Sequence, residues 1–187
     1  TQGAASRAGL PRWLDVALVA NLVVEVGIVL TGGLVRLTGS GLGCPTWPEC
    51  VPGSVTPVVR QPEGVHKYIE FGNRALTSVV GLAALAVLVG AVLVVRRGRP
   101  RALLGWAALP LIGVIAQAVL GGVTVLTRLH PATVAAHFLV SMALVAVSTA
   151  RLLRRRSGDG PPVRQVRPAI GVLVRGLLAL TSMGLVR

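Results

Sequence analysis

Ala75–Val95 reads ALTSVVGLAALAVLVGAVLVV, without one charged residue. A helix crossing a bilayer needs about 20 mostly apolar residues, and this run has that length. Three further runs resemble it. Ala102–Leu126 is also uncharged, Trp13–Val35 holds Asp15 and Glu25, and Pro131–Ala150 carries His137. A shorter run, Ala169–Val186, holds Arg175. A soluble helical core does not need uncharged runs this long. A signal peptide does not fit Trp13–Val35, because Gly-rich polar sequence follows it instead of a small-residue cleavage site. The fold class is therefore all-α and polytopic: spans 13–35, 75–95, 102–126 and 131–150 form a transmembrane four-helix bundle over 13–156.

Composition agrees with this reading. The chain has 187 residues, 53% of them apolar and 13% charged, with a net charge of +13. Its mean hydropathy of +0.75 is too high for a soluble basic domain and excludes disorder. The charge is a matter of topology. Arg7 and Arg12, then Arg96, Arg97, Arg99 and Arg101, then Arg151, Arg154, Arg155, Arg156, Arg164 and Arg167 all fall on one side. Fewer basic residues, Arg36, Arg60, Lys67, Arg74 and Arg128, fall on the other, offset by Glu49, Glu63 and Glu70. The 1–12 segment and the 157–168 linker are expected to be cytoplasmic, and the 36–74 connection extracytoplasmic, in the plasma membrane. The basic runs then give no reason to expect nucleic acid. Thr1 is not an initiator methionine, and Arg187 stands close behind an apolar run, so both ends are expected to be cut.

The 36–74 connection carries the polar signal. Leu37–Cys50 reads LTGSGLGCPTWPEC, whose glycines and prolines forbid a regular helix. Cys44 and Cys50 are the only cysteines. On an oxidising side they suit a disulfide, structural or redox-responsive if exposed and strained. Zinc is the other use of a cysteine pair, but no second pair exists. Trp47 suits an interface anchor.

Ionisable groups within spans are costly and mark function by default. His66, Glu70, Asn73 and Thr77 share one helix face entering span two, which implies a polar or cofactor-filled cavity. His130 and His137 are about two turns apart at span four. His66 and His130 are then expected near the mouth, with Asn73 and His137 about 10 Å deeper. Facing histidines at matched depth are how a membrane bundle holds a heme. Glu25 must be protonated or paired with a cation. Gln117 either cross-links helices or faces the cavity, and Gly32-Gly33 and Gly121-Gly122 suit close helix packing.

Several of these pieces together resemble the heme A synthase family of cytochrome oxidase assembly. They are Gly32–Cys44 (GGLVRLTGSGLGC), Trp47-Pro48-Glu49-Cys50, Ile69–Arg74 (IEFGNR), Gln117–Gly122 (QAVLGG) and Ala136-His137-Phe138, in order over about residues 16–150. The resemblance implies an oxidoreductase that converts a ring methyl of heme o to the formyl of heme A. It implies eight helices in two bundles, the first for substrate heme and the second for a heme b. By the same resemblance, Glu70 is catalytic, His137 is an axial iron ligand, and Cys44 and Cys50 form an extracytoplasmic disulfide. Asn73 stands where the family usually has histidine. His137 then holds heme alone beside Asn73, or His66 and His130 clamp a heme higher in the bundle. The fifth helix, 169–187, is expected to open the missing second bundle. Heme o, the lipid bilayer, and heme o synthase or an electron donor or acceptor are the implied partners. A heme-binding cytochrome or assembly subunit without chemistry is the alternative.

Overall fold

The computed structural model describes residues 11–157. Most of the expected N-terminal segment, the linker and the fifth helix lie outside the described residues. Four helices follow in order: α1 Arg12–Leu37, α2 His66–Arg96, α3 Ala102–Leu126 and α4 Pro131–Ser157. All four are long and apolar enough to cross a membrane, and no strand occurs among the described residues. The chain is a multi-pass membrane protein.

Each helix packs against its sequence neighbours, and α1 closes the ring against α4. The turns are tight. α1 stops at Thr38, and Ser40 N–H returns to Val35 O across Gly39, which takes φ 66°. α2 stops similarly, with Arg99 N–H on Val94 O across Gly98 at φ 93°. Such left-handed caps satisfy carbonyls the helix cannot. The α3–α4 turn uses Arg128 and Leu129 at positive φ instead. That conformation costs a non-glycine residue about 1 kcal/mol. It aims the Leu129 side chain at Gly41 of the long loop, where a Cβ would crowd it.

Two apolar clusters fill the bundle. Val80, Ala84 and Val114 pack with Val24, Ile28 and Leu111. Val87, Ala91 and Ala107 pack with Ala17, Leu18, Leu88 and Leu104. Small residues admit neighbours closely, as membrane bundles require: Gly90 receives Trp13 and Leu14, and Gly113 receives Leu144. The outward residues are apolar too, with Leu30 69% and Leu82 67% exposed. Such a belt faces lipid.

Two helices run well beyond the spans the sequence suggests. α2 begins at His66, nine residues before the apolar run 75–95, because the polar stretch whose spacing marks a helix face is helical although hydropathy excludes it from the span. α4 continues past residue 150 to Ser157.

Candidate functional site

The 38–65 loop lies at the end of the bundle that also carries the α3–α4 turn, and the first turns of α2 hold it there. Gly43 crosses α2 where a Cβ would overlap the backbone of His66 and Lys67. That close approach lets side chains of α2 reach loop backbone. Glu70, 5% exposed, accepts the Cys44 N–H through Oε2 at 2.7 Å. Its Oε1 accepts Arg74 Nη2 at 2.6 Å and Nε at 3.0 Å. Arg74 continues outward, donating to the carbonyls of Cys44 at 2.5 Å and Thr46 at 2.8 Å. Lys67 is buried and donates to Val58 O and Val59 O at 2.6 and 2.9 Å. Gln61 Nε2 donates to Gly43 O at 2.6 Å.

Cys44 and Cys50 form a disulfide with an S–S distance of 2.04 Å. The zinc alternative finds no support: no metal-sized group of His, Cys, Asp and Glu occurs among the described residues. The sulfurs are not exposed as a redox-responsive bridge requires. Cys44 is 0% and Cys50 1% exposed, because the loop folds them against α2. Trp47 extends from this loop to α3, where its indole fills the space a Cβ on Gly122 would occupy.

The polar stripe divides. Glu70 belongs to the loop. Asn73 turns to α1, where its Oδ1 accepts the Thr31 hydroxyl at 2.7 Å, close to Gly32. His66 is exposed and pairs through Nδ1 with Ser40 Oγ at 2.8 Å. His130 is exposed as well. Its Nδ1 accepts the Ala132 N–H at 3.3 Å and so caps the start of α4. His130 thus serves its own turn, and His66 ties the start of α2 to the turn that follows α1.

His137 sits differently. It is half-buried on α4, with its ring against Gly121 of α3. Its Nδ1 is buried and has no hydrogen-bond partner. Gln117 of α3 fixes the turn beneath it, donating to His137 O at 2.9 Å and to Ser141 Oγ. Ser141 Oγ donates to the same carbonyl at 2.9 Å. Gln117 is thus a helix cross-link. Gly121 and Gly122 make room for an imidazole and an indole more than for a helix backbone, and Gly33 faces open space.

Sequence reasoning gave no site role to Lys67, Arg74, Thr31 or Ser40. Arg74 carried a usable signal, its i,i+4 spacing from Glu70. The other three had none, because their partners are backbone carbonyls or side chains distant in sequence.

Residues 15–186 match the COX15-CtaA family, described as cytochrome oxidase assembly protein. The chain is 33% identical over 135 residues to the heme A synthase of Geobacillus kaustophilus, covering 72% of this chain and 40% of that protein. It is 36% identical over 132 residues to the heme A synthase of Lysinibacillus sphaericus, covering 70% of this chain and 40% of that protein. It is also 33% identical over 186 residues to a protoheme IX farnesyltransferase of Thermus thermophilus, covering 94% of this chain and 30% of that protein. The chain therefore spans about 40% of the length of the two heme A synthases. No solved structure matches.

Proposed function

The chain belongs to the COX15-CtaA family of cytochrome oxidase assembly proteins, and on that premise we propose that it works in heme A biosynthesis, as part of an oxidoreductase that takes a ring methyl of heme o to a formyl group. The observation that carries the reading is the buried, unpartnered Nδ1 of His137. Buried polar atoms are almost always paired, so an orphan asks for a ligand. An imidazole in an apolar bundle is the group that holds heme iron.

In this reading heme o comes from the bilayer and sits inside the bundle between α2 and α4, which face each other across the ring of helices. His137 fixes the ring, and Gln117 holds the turn that carries His137. Asn73 would leave the iron to His137, because its Oδ1 is already engaged by the Thr31 hydroxyl. With water as the oxygen source, each methyl taken to formyl gives up protons and electrons in equal number, and an external electron acceptor of the kind the family resemblance implies would take the electrons. Glu70 is assigned the proton-handling and charge-stabilising role. Arg74 and the Cys44 amide hold its carboxylate in one orientation, and charge fixed in a low-dielectric site acts more strongly than in water. His66 and His130, tied to Ser40 and to the cap of α4, are given no iron in this scheme. A heme b would belong to a second bundle that the described residues do not include.

We also place the loop outside the cell, the N-terminus in the cytoplasm and the protein in the plasma membrane. The support is the arginines at 96–101, at the end of the bundle opposite the disulfide. The similarity to a protein named protoheme IX farnesyltransferase suits an enzyme that makes heme o as a partner.

Glu70→Gln tests the catalytic assignment. Heme A formation in the full-length protein is expected to fall by about 10²-fold or more, the usual weight of a positioned acid or base, with heme o still bound. Unchanged heme A formation sinks the assignment. A heme-binding subunit without chemistry predicts a Soret band but no hydroxylated or formylated heme by mass.

A further inference from the structure

A second polar group lies midway along α1, away from the loop and from His137. Asn21 and Glu25 are one turn apart, and only 2% and 4% exposed. They sit between the two apolar clusters, one of which takes Val24 and Ile28 from α1 and the other Ala17 and Leu18. Asn21 Nδ2 donates to Glu25 Oε1 at 2.8 Å and to Ser148 Oγ of α4 at 3.4 Å. Ser148 Oγ donates to the same Oε1 at 3.0 Å. All the donors are thus used on Oε1 or on Ser148. Two acceptors remain buried with no partner, Oε2 of Glu25 and Oδ1 of Asn21.

We propose that this cluster is a proton-binding site, in which Glu25 carries a proton on Oε2 at neutral pH and donates it to Asn21 Oδ1. One proton then satisfies both orphan atoms. An amide and a carboxylic acid make two antiparallel bonds, N–H to carboxyl oxygen and O–H to amide oxygen. The first is already present. The second needs only rotation about the terminal torsions of Glu and Asn, which are soft. A hard metal cation fits poorly, because such ions take six or more oxygens and the cluster leaves two free.

The surroundings favour the neutral acid. α2 packs against α1 through Ala84, Val87, Leu88 and Ala91, all apolar. From α4, among the described side chains, come Ser148 and one charged group, Arg151, which is half-buried and reaches Glu25 by Coulomb attraction instead of a hydrogen bond. An isolated carboxylate in such a setting costs several kcal/mol, far more than its acid form. The inference does not depend on the heme reading.

Infrared difference spectroscopy on the full chain in phospholipid nanodiscs tests it. At neutral pH the wild type is expected to show a protonated-carboxyl band that Glu25→Gln loses and Glu70→Gln keeps. Exchanging sodium for potassium should not alter it. Should Glu25→Gln fail to fold, Asn21→Leu leaves the acid in place and should move the band to higher frequency, as the O–H loses its acceptor. The proposal is overturned by a wild type without the band or by a band unmoved in Asn21→Leu. A band that appears only in Arg151→Gln also overturns it, since Glu25 is then ionised against Arg151. So does a band that sodium removes, which marks a cation site.

Discussion

The sequence pattern puts Asn73 on α2 and His137 on α4 at one expected depth, yet the bundle treats them oppositely. The α2 side is fully committed: Asn73 is bonded to Thr31, Glu70 to Arg74 and the Cys44 amide, Lys67 to two carbonyls. The α4 side keeps a buried imidazole nitrogen without a partner, beside a glycine that gives the ring room. Polar groups in a low-dielectric interior rigidify when satisfied and are costly when not. One wall is therefore finished in the folded chain, and the other keeps an unpartnered nitrogen that the proposed heme would satisfy.

The largest expected effect breaks this contrast if it fails. His137→Ala should abolish the Soret absorbance that added heme o contributes to the full-length protein, leaving only that of a heme b held in the second bundle. Asn73→Ala should leave most of it, because Asn73 is engaged with α1. Equal losses in the two variants would mean that the walls are not different in kind. Asn73→His sharpens the same point: a second imidazole opposite His137 should turn the spectrum toward a six-coordinate, bis-histidine form.

A smaller effect concerns the finished wall alone. The Arg74 side chain is 21% exposed, but that of its partner Glu70 is only 6% exposed, so removing Arg74 leaves a buried charge unpaired. Arg74→Ala is expected to cost about 3 kcal/mol, by the general cost of breaking a buried pair. It also frees the carbonyls of Cys44 and Thr46, so the buried disulfide should become accessible to a water-soluble phosphine. Arg74→Lys should fall between the two, since an ammonium keeps the charge but not the fork that spans loop and carboxylate. Wild-type reduction rates in Arg74→Ala would show that the loop holds without Arg74.

How much of this the sequence reveals depends on where each partner lies. α3 appears with the bounds its uncharged run suggests, because Arg101 and the following turn mark both ends sharply. α2 is read short, since hydropathy discards His66–Arg74 although their i,i+4 spacing marks a helix face. That spacing shows that Glu70 and Arg74 can meet. It cannot show that they grip a loop, because a backbone carbonyl has no residue signature. The same holds for the disulfide: its pairing is legible in the only two cysteines, while its burial depends on Gly43 crossing α2. Glycine pairs are equally mute about their neighbours. Gly121 receives His137, Gly122 receives Trp47, and Gly33 receives nothing.

The smallest expected effect is the most local. Thr31→Val is isosteric and removes the hydroxyl that donates to Asn73 Oδ1 at 2.7 Å and lies 3.1 Å from Ile28 O of its own helix, at a cost of about 1 kcal/mol. Residues sharing one bond are not additive, so Thr31→Val combined with Asn73→Ala should cost less than the sum of the two single changes. Strict additivity, measured by thermal unfolding in one detergent, would mean that the Thr31–Asn73 bond couples nothing. Asn73 would then no longer belong to the finished wall, and the asymmetry between α2 and α4 would narrow to the single unpaired nitrogen of His137.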